Sequence, residues 1–264
     1  MKRRHLVELE DLWWWPRVFR DAETDYLAVA LRFAKTYSVA APRLAAALRK
    51  CGTTEIVDLC SGGGGPWLDL LPALRAAGVD ASVCLTDKYP NTAAFAKLAE
   101  SIPGVRFETE SVSAFDVPDR LPGFRTVFTA FHHFRPPEAR AILASAVRDR
   151  RGIAIFEAAS RTPGQLMVMP LVPLAVWFLT PFIRPFRWSR LFWTYVLPVV
   201  PTAMTFDGIV SCLRIYSPGE LEAMANEVDA GTFVWEAGVD YPPGSMFPIP
   251  YLIGVPRQPP TSAR

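Results

Sequence analysis

Glu55 to Leu71 reads EIVDLCSGGGGPWLDLL: a short apolar run through Asp58, four consecutive glycines, then apolar residues at helical spacing. Adjacent glycines carry a large entropic cost on folding, so a chain keeps them where backbone must bend sharply or lie against something. The order strand, glycine loop, helix opens a βαβ unit, and the turn after such a strand is where a nucleotide-like ligand approaches the backbone.

The same rhythm continues outward. GPWLDLLPALRAAG predicts a helix stopped by Gly78, and ASVCLTD predicts a second buried strand. NTAAFAKLAES, GVRFETE, FRTVFTAF, PPEARAILASAVRDR and GIAIFEA extend the alternation. Such alternation predicts a Rossmann-like, doubly wound and mostly parallel sheet with helices on both faces. Upstream, the spacing over Asp21–Lys50 predicts two helices divided at Pro42. After Ser160 an apolar, Pro-rich stretch intervenes, followed by a helix at SPGELEAMANEV and by TFVWEAGV and FPIPYLIGVP, read as an antiparallel pair at the sheet edge. The fold expected is α/β with seven strands, the last antiparallel, N-terminal helices and an apolar helical insertion after strand 5.

A chain of 264 residues, half of them hydrophobic, suffices for one large α/β domain. A net charge of +2, with no Lys/Arg stripe beyond the solvated start MKRRH, argues against nucleic-acid binding through bulk electrostatics. Cys51, Cys60, Cys84 and Cys212 form no CxxC pair and no His/Cys cluster, so neither a zinc site nor a disulfide framework is suggested and no metal is expected. They read as reduced thiols of a cytoplasmic protein, and no apolar signal-peptide core precedes VELEDLWWWPRVFRD. The tail VPRQPPTSAR reads as frayed.

Two phosphate-binding motifs fail on inspection. A G-x-G-x-x-G starting at Gly62 meets Trp67 at its third glycine, and a P-loop needs Gly-Lys-Ser/Thr where this loop ends Gly-Pro-Trp. The stretch instead resembles the glycine-rich loop of class I S-adenosylmethionine-dependent methyltransferases, D-x-G-x-G-x-G. Asp58 takes the acidic place, Cys60 departs at the first glycine, and Gly62 and Gly64 take the other two, with Ser61 and Gly63 between them. The resemblance implies S-adenosylmethionine as cofactor, its methionine part over this loop. It implies that Asp87, ending VCLTDKYP, accepts both ribose hydroxyls, with Lys88 beside it. Ser113 stands where the family has an acidic residue near adenine, followed by Ala114; Asp116 reads as a turn residue.

VFTAFHHF, Val127–Phe134, stands where many small-molecule methyltransferases of this class carry a His-rich segment between cofactor and acceptor. The resemblance therefore covers Glu55 to about Glu157 and adds Thr129 and Tyr37 to the cofactor side. Methyl transfer from a sulfonium needs alignment and, for an OH or NH acceptor, removal of a proton, for which histidine suits neutral pH. His132, His133 and Glu157 are the catalytic candidates. If the strand runs on through the pair, at most one histidine faces the acceptor; structural roles, as satisfied histidines or caps of the helix at Pro136, and an Arg partner for Glu157 stay open.

Leu166–Ile183 and Leu191–Phe206 contain no charge and flank RPFRWSR with Arg184, Arg187 and Arg190. Pro170, Pro173 and Pro181 interrupt the first run, and a spanning hairpin would put its arginines on the far side, against the positive-inside rule. Two readings stand: an insertion covering an apolar acceptor pocket, or an interfacial patch with arginines on lipid phosphates. Both imply a small lipophilic substrate, the second with peripheral membrane contact through 166–206; oligomeric state stays open. The division expected is 1–50, an N-terminal helical lid in which one of Trp13, Trp14 and Trp15 takes part; 51–160, the cofactor-binding core; 161–216, the insertion over the acceptor site; 217–256, the C-terminal helix and edge strands; and 257–264, the tail.

Overall fold

The structure is a computed structural model and describes residues 1–184 and 186–257; of the tail, only Arg257 falls within the described residues. In chain order the elements are α1 (Arg17–Phe33), α2 (Ala40–Cys51), β1 (Glu55–Leu59), α3 (Trp67–Ala76), β2 (Ser82–Leu85), α4 (Thr92–Ser101), β3 (Val105–Phe107), β4 (Phe124–Phe128), α5 (Pro136–Arg148) and β5 (Ile153–Phe156). There follow α6 (Pro163–Val168), α7 (Val172–Leu179), α8 (Trp188–Leu191), α9 (Val199–Arg214), α10 (Pro218–Val228), β6 (Phe233–Asp240) and β7 (Ile249–Pro256). The strands form one seven-stranded sheet in the order β3-β2-β1-β4-β5-β7-β6. β1 to β5 pair in parallel, and β7 runs antiparallel between β5 and β6.

Two apolar layers hold the sheet. One packs Leu44 and Leu48 of α2 and Leu70 and Leu74 of α3 against Ile56, Val83 and Phe156. The other packs Ile142 and Leu143 of α5 and Leu221 and Met224 of α10 against Val57, Val127 and Ile155. Both faces of β1, β4 and β5 are covered, which explains their unbroken apolar runs. The break between the first two helices falls at 34–39, where Lys35 adopts a left-handed φ of 49°, rather than at Pro42. Pro42 sits in the first turn of α2, where a missing N–H leaves no helical hydrogen bond unmade.

A third, smaller core stands apart from the sheet. Ala22 and Tyr26 of α1 pack with Val176 and Leu179 of α7, Ile183 and Val200 of α9, with Phe19 and Trp193 at its margin. Thus α1 and the insertion form a single cap, while α2 belongs to the main core. The prolines of the insertion do not end its first helix: Pro170 and Pro181 lie in the 3-10 turns Met169–Leu171 and Thr180–Phe182, and Pro173 in the first turn of α7. The run Pro163–Phe182 is consequently one 20-residue helical stretch, long and apolar enough by length and composition to cross a membrane, and little of it is buried.

Candidate active site

The sheet order reverses between β1 and β4, so the crevice outside their carboxyl ends is where an open α/β sheet binds ligands. The glycine loop leaves β1 into this crevice. Gly62, Gly64 and Gly65 have φ of 52°, 112° and 63°, and Cys60, in the family's first glycine place, also takes a left-handed φ of 57°. A side chain there is strained, and the loop bends as a glycine would. A Cβ on Gly62 would meet nothing within 4 Å, so its face is open to a ligand, whereas one on Gly63 would lie 2.9 Å from Cγ2 of Thr24 on α1. The cap therefore closes down onto the loop.

Asp58 points inward: Oδ1 accepts from Thr126 Oγ1 at 2.7 Å and Oδ2 from Ser61 Oγ at 2.7 Å. Burial pushes its carboxyl up to about 6, against the lowering effect of those hydrogen bonds. Its observed contacts are those of a loop organiser. Asp87 faces the crevice, Oδ2 accepting Gly62 N–H at 2.9 Å and Oδ1 accepting Tyr89 N–H at 2.8 Å. Each oxygen has a second lone pair with which to accept another donor. Lys88 is exposed on the same turn. Ser113 Oγ accepts from Phe115 N–H at 3.2 Å, and Ala114 is buried against the second layer.

Thr129, just past β4, has φ 47°, an outlier for a β-branched residue. Its hydroxyl bonds the Tyr37 hydroxyl and accepts Ala158 N–H at 3.2 Å. Tyr37 and Thr129 thus meet through each other at the carboxyl end of β4.

The strand stops at Phe128, and both histidines lie in the 3-10 turn Phe131–His133. The condition for opposite-facing side chains is not met; the rings stand 4.3 Å apart at 34°. Among the described residues Glu157 pairs with His132 rather than with an arginine: it accepts His132 backbone N–H and Nδ1–H, each at 2.8 Å. His133 Nδ1 bonds Asp11 at 2.9 Å. Burial alone would lower the His133 pKa, but Asp11 and the charges of Glu8 and Glu10 raise it to about 9. Sequence reading missed Glu8, Asp11 and Arg214. Glu8, 1% exposed, enters from the N-terminal segment and stands 3.6 Å from Nε2 of both histidines. Arg214, at the end of α9, pairs with Glu8 and Asp11 and donates to His133 O at 3.2 Å. ELED in the sequence shows acidity, but no periodicity announces that Glu8 is buried 124 residues away from His132.

No protein-family profile matches the sequence, and no curated protein does either. Solved structures do match. The human N-acetylserotonin methyltransferase, in complex with SAM, aligns with TM-score 0.52 at 12% identity over 97% of this chain and 63% of its own. The S-adenosylmethionine-dependent methyltransferase SibL, in its apo form, aligns with TM-score 0.50 at 15% identity over 84% of this chain and 56% of its own. The chain thus spans less than two thirds of the length of either structure. The plantazolicin methyltransferase BpumL, in complex with SAH, has TM-score 0.47 at 10% identity over 90% of this chain and 88% of its own. The chain has the fold of the class I S-adenosylmethionine-dependent methyltransferases.

Proposed function

We propose that the protein binds S-adenosylmethionine in the crevice between Gly62 and Asp87 and transfers its methyl group to a small, lipophilic acceptor. The observation that carries this reading is the Asp87 carboxylate hydrogen-bonded to Gly62 N–H at 2.9 Å, at the carboxyl ends of β1 and β2, beside a glycine face with no atom against it. This loop geometry lets a ligand reach backbone that a Cβ would shield, and the human N-acetylserotonin methyltransferase in complex with SAM shares the fold. Ser61, Gly63, Gly64, Lys88, Ser113 and Ala114 line or support the same crevice, with Asp58 and Cys60 shaping its loop. Methyl transfer then needs alignment and, for a hydroxyl or amine, a proton acceptor. In this reading His132 and His133 handle that proton, with Nδ1 of each held by a carboxylate and Nε2 turned to a common point.

The acceptor's lipophilic character rests on the cap. Phe178 and Trp188 are 67% and 77% exposed, and Leu174, Phe182, Phe186 and Val196 are exposed with them, an apolar surface far beyond scattered single residues. Exposed Arg184 and Arg187 flank it, the pattern of a peripheral contact with an anionic lipid surface at the cytoplasmic side. The same face favours a second reading, a membrane-docked protein that holds the cofactor without turnover.

Calorimetric titration with S-adenosylmethionine and S-adenosylhomocysteine, beside Asp87→Ala, tests the cofactor site. Micromolar binding lost in the variant is expected. Absence of binding by either ligand overturns the reading, and binding without methyl transfer to any lipophilic acceptor leaves the second one standing.

A further inference from the structure

Both histidines of the cluster are oriented alike. With Nδ1 held by Glu157 or Asp11 at 2.8 and 2.9 Å, each ring turns Nε2 away from that partner, and a metal ion bonds that nitrogen by displacing its proton. Both Nε2 atoms face the Glu8 carboxylate, His132 Nε2 at 3.6 Å from Oε1 and His133 Nε2 at 3.6 Å from Oε2. Those distances exceed hydrogen-bond length. Oε1 accepts from Ser211 Oγ at 3.0 Å and pairs with Arg214 at 3.2 Å, but Oε2, fully buried, has no hydrogen-bond partner among the described residues. Two ring nitrogens and a carboxylate therefore converge on one point at separations too long for hydrogen bonds among themselves.

A cation resolves this. The ligand atoms of Glu8, His132 and His133 all lie within 4.8 Å of one another. Two ligands on a tetrahedral ion with bonds near 2.0–2.1 Å stand about 3.4 Å apart, close to the separations found. Histidine ligands that donate their other N–H to a carboxylate are the usual outer arrangement of such centres, and here both have it. Charge agrees: Glu8, Glu10, Asp11 and Glu157 surround the point, against Arg214 as the one guanidinium paired directly with any of them in the described structure. Glu10 Oε1, 3.9 Å from His133 Nε2, is within reach of a further position. His133, Asp11 and Glu10 are partly exposed and give the ion a route from solvent.

We infer that Glu8, His132 and His133 form a binding site for a divalent metal ion of the zinc class, with Glu157 and Asp11 orienting the two imidazoles. Imidazole nitrogens with one carboxylate suit Zn²⁺ rather than Mg²⁺. Three protein ligands leave a position open. That an oxygen of the acceptor occupies it, the ion then replacing the Nε2 atoms in favouring the deprotonated oxygen and the proton leaving to solvent past the partly exposed Glu10, rests on the methyl-transfer reading; the binding of the ion does not.

The test uses the 264-residue chain, stripped with chelator, in equilibrium dialysis against Zn²⁺ and in optical titration with Co²⁺, with Mg²⁺ as comparator and no S-adenosylmethionine. Expected are one Zn²⁺ per chain, a four-coordinate Co²⁺ spectrum displaced by Zn²⁺, and affinity lowered at least about tenfold in Glu8→Gln and in His133→Ala. Glu8→Gln is isosteric, so it decides the matter if His133→Ala fails to fold by circular dichroism. No stoichiometric Zn²⁺ binding, or binding unchanged in folded Glu8→Gln, overturns the site. Titration of the same samples with S-adenosylmethionine separates the two readings: cofactor bound without ion removes only the metal site, ion bound without cofactor removes only methyl transfer.

Discussion

Glu157 grips His132 twice, one oxygen on the backbone N–H and the other on Nδ1, both at 2.8 Å, with both residues about 2% exposed. A carboxylate accepts both protons; an amide can accept one and must turn an N–H toward the other. Glu157→Gln should therefore cost about 1–3 kcal/mol, the penalty of a buried donor left unmatched, seen as a lower urea midpoint with unchanged slope. An unaltered midpoint would mean that the grip contributes nothing to stability.

Gly63 and Thr24 couple the loop to the cap. A Cβ on Gly63 would sit 2.9 Å from Thr24 Cγ2, so Gly63→Ala should destabilise by about 1–3 kcal/mol through overpacking. Thr24→Ser removes that methyl and keeps the hydroxyl bonded to Arg20 O. The double variant should recover at least about 0.5 kcal/mol beyond additivity in a denaturation cycle. Strict additivity would show that α1 does not rest on the loop in solution.

Glu23 supplies a pH dependence. It is 3% exposed, accepts Trp15 Nε1–H at 3.3 Å, and leaves Oε2 without a hydrogen-bond partner among the described residues. Burial, then the charges of Asp207 and Glu10, push its pKa from 4.5 up to about 8, while Trp15 and Arg20 lower it. An acid raised on folding favours the protonated form, so its stabilisation is complete below about 4.5 and is lost as pH rises to 8. The wild type should lose on the order of 3 kcal/mol across that window from this group. Glu23→Gln should remove that part of the slope, measured as urea midpoints at pH 5 and 8.5; parallel curves for the two proteins would contradict a buried neutral carboxyl.

The cap surface predicts lipid binding. Phe178→Asp with Trp188→Asp changes two exposed rings, so melting temperature should hold while co-sedimentation with anionic vesicles at low salt falls several-fold. If the wild type itself stays in the supernatant, the docking reading fails.

The sheet was legible because its strands are buried on both faces: EIVDL, FRTVF and GIAIF are near-continuous apolar runs whose helices and glycine stops stand between them. The glycine loop was legible too, since left-handed φ values at Gly62, Gly64 and Gly65 are what glycines in a row are for. The helix break at Lys35 was not: Pro42 looked like the stronger stop, yet a proline in a first turn stops nothing.

The sequence by itself determined the layered α/β architecture and the crevice that Asp87 and the glycines line, because hydrophobic period and backbone freedom act locally. Tertiary structure alone decided the rest of the site. Glu8 and Asp11 from the N-terminal segment and Arg214 from the end of α9 meet His132 and His133 through ion pairs and hydrogen bonds that span more than eighty positions of the chain. A buried charge is tolerable only once its partners arrive, and no local pattern records which partners those are.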